Sequence, residues 1–77
     1  MRVGFVLIEV APHHETKVYQ SLKQVKEIEE LHGLFGEWDM LCKIVADDLE
    51  AVSEVVVRKI RSLPGVIRTD TLIGAPM

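Results

Sequence analysis

The chain has one cysteine, Cys42, with two Phe, one Trp and one Tyr among its 77 residues. A lone thiol excludes an intramolecular disulfide framework and a zinc site built from several thiolates. Cys42 stands in the apolar run Met40-Leu41-Cys42-Lys43-Ile44-Val45, where an inert, half-buried thiol is expected rather than a nucleophile. No apolar run reaches membrane-spanning length: Val3 to Val10 is interrupted by Gly4 and Glu9 and is too short for a span or a signal peptide. Positive charge is scarce as well, with nine Lys and Arg against twelve Asp and Glu, a net charge of -3 and no basic cluster. Direct binding of DNA or RNA is disfavoured, because phosphate neutralisation needs concentrated positive charge. A reducing cytoplasm is the expected location.

Apolar residues, in contrast, make up 48% of the chain. So short a sequence forms one domain, residues 1–77, and buries only a little over ~60% of the surface its unfolded form exposes. An apolar content this high predicts a second buried surface, supplied by another copy of the chain.

Val3-Gly4-Phe5-Val6-Leu7-Ile8-Glu9-Val10 is β-rich and stops at Ala11-Pro12. Its alternating faces, Val3/Phe5/Leu7 and Val6/Ile8/Val10, are both apolar, which predicts a central strand covered above and below. Val18, Leu22 and Val25 fall at helical spacing and predict a first helix from about His14 to Val25. Ile28 to Phe35 reads as strand two, Gly36 as a tight-turn glycine with positive φ, and Trp38 to Ala46 as strand three. Asp47-Asp48 opens a second helix, with Asp47 and Glu50 in the pattern of a capping box, and Leu49, Val52, Val56 and Ile60 mark one face as far as about Ser62. Val55-Val56-Val57 has poor helix propensity, so Val55 or Val57 serves a packing purpose, either a subunit contact or a broad core face. Leu63-Pro64-Gly65 ends the helix, and Val66 to Ile73 is strand four. The order β-α-β-β-α-β predicts an α+β, ferredoxin-like sandwich: a four-stranded antiparallel sheet, both helices on one face, and the other face covered by a second sheet in a two-fold dimer.

The ordered motifs Gly36-Glu37-Trp38-Asp39, Asp47-Asp48, Leu63-Pro64-Gly65-Val66 and Thr69-Asp70-Thr71 resemble the ligand-binding domain of the Lrp/AsnC feast/famine regulators, the RAM domain, over essentially the whole chain. The resemblance implies sheet-to-sheet dimers that assemble into rings, commonly octamers, and an amino acid or related effector bound between dimers. It places effector contacts on Gly36, Glu37, Trp38 and Asp39 of the turn, on Leu49 at the start of helix two, and on Thr69, Thr71, Leu72 and Gly74 of the last strand. The family often has Tyr or Phe at the position of Trp38 and bulkier residues at those of Leu72 and Gly74. Full-length members carry a helix-turn-helix domain ahead of this one; the chain resembles either a stand-alone RAM protein or a cut domain, and Met1 directly before strand one favours the former. The resemblance implies no cofactor, and a partner of this kind is a full-length regulator of the same family.

Read without the resemblance, the same residues have plainer roles. Gly36 is a hairpin glycine, Trp38 an oligomer or core anchor, and Thr69 and Thr71 a cross-strand pair. Asp39 either fixes the turn through an Asx-type bond or accepts from an effector's ammonium group. His13, His14 and His32 lack metal-ligand spacing and read as solvent-exposed, and Glu27, Glu29 and Glu30 as a charged sheet edge. The function expected is an oligomeric effector-binding module in transcriptional regulation of metabolism, not an enzyme. The competing class is a small dimeric ferredoxin-like enzyme, a cofactor-free monooxygenase or an isomerase, for which His32 and Tyr19 are the only candidate groups and neither has a recognisable partner. A ligand-free structural adaptor is a third.

Overall fold

Alternating apolar residues build the strands and helical spacing builds the helices, in the order β1 (Arg2–Val10), α1 (Glu15–Lys23), β2 (Ile28–Gly33), β3 (Met40–Ala46), α2 (Leu49–Val55) and β4 (Val66–Ile73). The computed structural model describes all 77 residues. The four strands form one antiparallel sheet in the order β2-β3-β1-β4, so β1 is central as its sequence predicts. This is the ferredoxin-like β-α-β-β-α-β arrangement.

One face of the sheet is closed by the helices. Val6, Ile8 and Val10 of β1 join Met40, Cys42 and Ile44 of β3, Val18 and Leu22 of α1, and Val52 and Val55 of α2 in one buried cluster. Each such side chain taken out of water contributes about 1.5–3 kcal/mol. Gly4 allows α2 to approach: a Cβ there would lie 2.9 Å from Val52 Cγ1. The opposite face is open. Phe5 stands opposite Leu72, the two being 37% and 52% exposed, and Val3, Leu7, Leu41 and Val45 surround them half-buried.

Several boundaries differ from the sequence reading. β2 ends at Gly33 and β3 starts at Met40, so Leu34–Asp39 is a loop rather than a tight turn flanked by strand. The Leu34 N–H still donates to the Asp39 carbonyl at 2.8 Å, which closes the loop at its base. α1 stops at Lys23, with Gln24 as its cap and the Val25 N–H turned back to the Leu22 carbonyl. The cap of α2 is Asp48, not Asp47: its Oδ1 accepts from the Ala51 N–H at 2.8 Å, which satisfies one of the unpaired donors of the first turn. Glu50 then falls one position short of a capping box.

Beyond Val55 the second helix widens into a π-helical turn, Val56–Ile60, closed by the Arg61 N–H on the Val56 carbonyl at 2.8 Å. The valine run is divided there: Val55 and Val56 are core, whereas Val57 is 53% exposed. Glu29 and Glu30 are neighbours in β2, yet Lys43 meets both, at 3.2 and 3.5 Å, because a bulge between Ile28 and Glu30 breaks the alternation.

Candidate functional site

The loop Leu34–Asp39 is fixed from its far end. β3 begins only at Met40, which leaves the last β1 amide without a strand partner. The Asp39 carboxylate supplies one, accepting from the Val10 N–H at 2.7 Å, while the Asp39 N–H donates to the Ile8 carbonyl at 2.9 Å. Asp39 therefore fixes the turn, one of its two expected roles, through bonds to a distant strand rather than a local Asx-type bond. Gly36 has φ +132° with no atom near a would-be Cβ, so the backbone conformation alone calls for glycine.

Beside this loop Arg68 of β4 gathers three groups. Its guanidinium lies 4.3 Å from the centre of the Trp38 ring, its Nε donates to Glu9 at 2.6 Å and its Nη2 to Glu37 at 3.1 Å. The bonds to Glu9 and then Glu37 raise its already high pKa, so it is cationic at any relevant pH. Trp38 and Glu37 are held to the sheet by this contact. Arg68 was absent from the sequence-derived site; its register opposite Glu9 across β1 is what places it there.

Leu49, Thr69 and Thr71 lie elsewhere. They line a groove of about 430 Å³ between α2 and β4, with Ser53, Val57 and Arg61. Thr69 and Thr71 stand opposite Ile8 and Val6, on the helix-covered face. The groove offers apolar walls, hydroxyl groups and one cation, a chemistry suited to a small amphipathic molecule with a carboxylate. Leu72 faces the opposite side of the sheet beside Phe5, and the Gly74 N–H donates to the Val3 carbonyl at 2.8 Å.

The nine residues thus fall into three places. Asp39 bonds at Ile8 and Val10, whereas Leu49 follows the end of β3, where Ala46 pairs with Arg2. Those two ends of β1 are separated by about 20 Å at the strand rise of ~3.3 Å per residue. One protomer does not bring Asp39 and Leu49 together; Thr69 and Thr71, opposite Ile8 and Val6, lie between those ends on the helix-covered face.

A second concavity, about 650 Å³, lies between α1 and the loop and was missed by the sequence reading. Tyr19, Gln20, Phe35 and Met40 contribute to it, and Phe35 is fully exposed. The available signal was Phe35 itself, a bulky residue beside a turn glycine that the β2 pattern absorbs only if the strand is extended too far. Other reactive groups are accounted for. Burial pushes the Cys42 thiol up to about 11, which makes it inert. His32 Nε2 lies 3.2 Å from Glu30 on the exposed β2 edge, and Tyr19 has Lys23 Nζ 5.7 Å from its ring centre.

Comparison with known proteins agrees with this architecture. The family model of the Lrp/AsnC ligand binding domain matches residues 3–74. An uncharacterised helix-turn-helix type transcriptional regulator of Pyrococcus furiosus is 33% identical over 74 residues, covering 92% of this chain and 49% of its own length. The chain thus spans about half the length of that relative. A Thermus thermophilus protein of known crystal structure superposes with a TM-score of 0.94 at 27% identity, covering 100% of this chain and 96% of its own. A transcriptional regulator of Neisseria meningitidis, solved with L-methionine, superposes with a TM-score of 0.87 at 19% identity, covering 97% of this chain and 50% of its own, a likeness of fold. No helix is long and apolar enough to cross a membrane.

Proposed function

The chain belongs to the Lrp/AsnC ligand-binding domain family, and from that premise we propose that it is an oligomeric amino-acid-binding module that acts in transcriptional regulation of metabolism, in the cytoplasm. The observation that carries this reading is the one-sided fold. Helices close one face of the sheet, and the other presents Phe5 and Leu72 with four half-buried apolar neighbours. A face of this kind is covered by a second sheet, which gives a two-fold dimer. Dimers then associate in a ring, an octamer, and the same contacts admit full-length regulators of the family.

The separation of the Asp39 loop from Leu49 along β1 favours a shared site. One subunit contributes the α2–β4 groove with Leu49, Thr69, Thr71 and the following Leu72 and Gly74; a neighbour contributes the loop Gly36, Glu37, Trp38 and Asp39. An amino acid places its side chain against Leu49 and its polar end near the threonine hydroxyls. Its ammonium group meets the second Asp39 oxygen, Oδ1, since Oδ2 is taken by Val10. The Neisseria regulator of the same fold that binds L-methionine sets a precedent for the ligand class. Arg68 positions the loop by holding Glu37 and Trp38.

Light scattering on the intact protein, alone and with each standard amino acid at millimolar concentration, tests this reading. An oligomer whose mass distribution responds to at least one amino acid is expected. A stable monomer at micromolar concentration contradicts the covered face, and an oligomer indifferent to every amino acid contradicts the coupling of effector to assembly.

A further inference from the structure

The two edges of the sheet are treated differently. β2 is irregular, with its bulge between Ile28 and Glu30, and carries Glu29, Glu30 and His32, the devices that keep an edge from pairing with another strand. β4 pairs only with β1 and runs for eight residues, its one irregularity lying at its start, opposite Glu9 and Val10. Leu72 and Ile73 on it are 52% and 39% exposed. Such an edge is a template for another strand.

Two hydrogen bonds decide which backbone groups are free. The Gly74 N–H donates to the Val3 carbonyl and the Ala11 N–H to the Gly65 carbonyl, so odd-numbered β1 positions face β4. With Leu72 opposite Phe5, Asp70 opposite Leu7 and Arg68 opposite Glu9, the amides and carbonyls of Arg68, Asp70 and Leu72 turn inward. Those of Thr69, Thr71 and Ile73 turn to the open edge. A second β4, related by a two-fold axis, must set outward positions against outward positions. Near the middle of the strand that leaves registers centred on Thr69, Asp70 or Thr71.

Charge chooses among them. Centring on Asp70 puts two carboxylates face to face, and centring on Thr71 puts Asp70 against Leu72. Centring on Thr69 puts Arg68 against Asp70 of the partner subunit at both ends of the axis and pairs the two threonines. Asp70 has no cationic partner in its own chain, and Arg68 uses Nε and Nη2, leaving Nη1 free. We propose that the β4 edge is a homotypic interface, a two-fold antiparallel ladder centred on Thr69 that joins two sheets into one. It is distinct from the face-to-face pairing and forms without effector. It also brings the two α2–β4 grooves, each floored by Thr69 and Thr71, side by side across the axis.

Cysteine cross-linking on the full chain reads the register directly. A hydrogen-bonded antiparallel pair has Cα atoms ~5.5 Å apart, within disulfide reach, and buried Cys42 does not compete. Under mild oxidation without amino acids, Thr69→Cys is expected to form a covalent dimer several-fold faster than Thr71→Cys or Asp70→Cys, each with unchanged far-UV circular dichroism. Equal rates at the three positions, or fastest linking at 70 or 71, overturns the proposal. A charge exchange checks it without relying on any one variant: Arg68→Asp chains and Asp70→Arg chains should each lose the edge contact and regain it when mixed. Failure of the mixture to associate beyond either variant alone overturns it too. Both readouts are independent of whether an effector binds.

Discussion

The Asp39 carboxylate accepts from the Val10 backbone N–H at 2.7 Å, so a residue of the loop before β3 completes the hydrogen bonding of the strand that β3 leaves unpaired. This bond sets the position of Trp38 and Glu37 relative to the sheet. Asp39→Ala should destabilise the fold by about 1–3 kcal/mol, the cost of a partly buried donor losing a charged partner. Asp39→Asn keeps an oxygen in place and should cost less. Urea midpoints of the two variants check the order, and equal loss contradicts it.

The two positive-φ glycines should behave differently. Gly65, at φ +97°, lies against α1, and a Cβ there would be 2.5 Å from His14 Cβ; Gly36, at φ +132°, has open space around it. Gly36→Ala should cost about 1 kcal/mol for backbone strain, whereas Gly65→Ala adds overpacking worth roughly 1–3 kcal/mol more. Thermal unfolding of both variants reads the difference.

The Cys42 thiol is raised from its ordinary 9.0 to about 11 by burial. Between those two values the thiol ionises in the unfolded chain but is held neutral in the fold, so rising pH favours the unfolded state. Stability is therefore fully present below pH 9.0 and falls as the pH rises toward about 11, by on the order of 2–3 kcal/mol. Cys42→Ser should flatten that alkaline decline. Native protein should also resist thiol reagents at pH 8 until denaturant is added; rapid labelling of the native state contradicts the burial.

Glu27 is held below its ordinary 4.5 first by the hydrogen bond from Lys59, whose Nζ lies 3.0 Å from Oε1. A depressed carboxyl contributes stability above its unfolded pKa and loses it as the pH falls. Lys59→Met should therefore weaken the protein at neutral pH and reduce its sensitivity to acid below about pH 4.5. An acid titration of the unfolding midpoint that is unchanged by the substitution contradicts this pairing.

Much of the fold was legible because its signals are local. Alternation placed β1 and β4, helical spacing placed Val18, Leu22, Val52 and Ile60, and proline and glycine placed the stops. What was not legible depends on contacts distant in sequence. The ends of β2 and β3 moved because Asp39 bonds to Val10, a partner no local pattern names. The α2 cap moved by one residue because Asp47 and Asp48 are chemically alike and only backbone geometry separates them. For the candidate site, the motif residues were readable one by one, whereas Arg68 enters only through its register opposite Glu9 and its stacking on Trp38. The separation of Asp39 from Leu49 toward opposite ends of β1, and of Leu72 onto the other face from Thr69 and Thr71, follows from topology, not composition.

The central claim, that this module binds an amino acid, is tested most directly by isothermal titration of the folded oligomer with each standard amino acid. At least one should bind saturably with a Kd between about 1 μM and 1 mM, and Thr71→Val should weaken that ligand by roughly two- to tenfold, the worth of one hydroxyl hydrogen bond. Absence of saturable heat from every amino acid at millimolar concentration, with the protein folded and oligomeric, contradicts the claim.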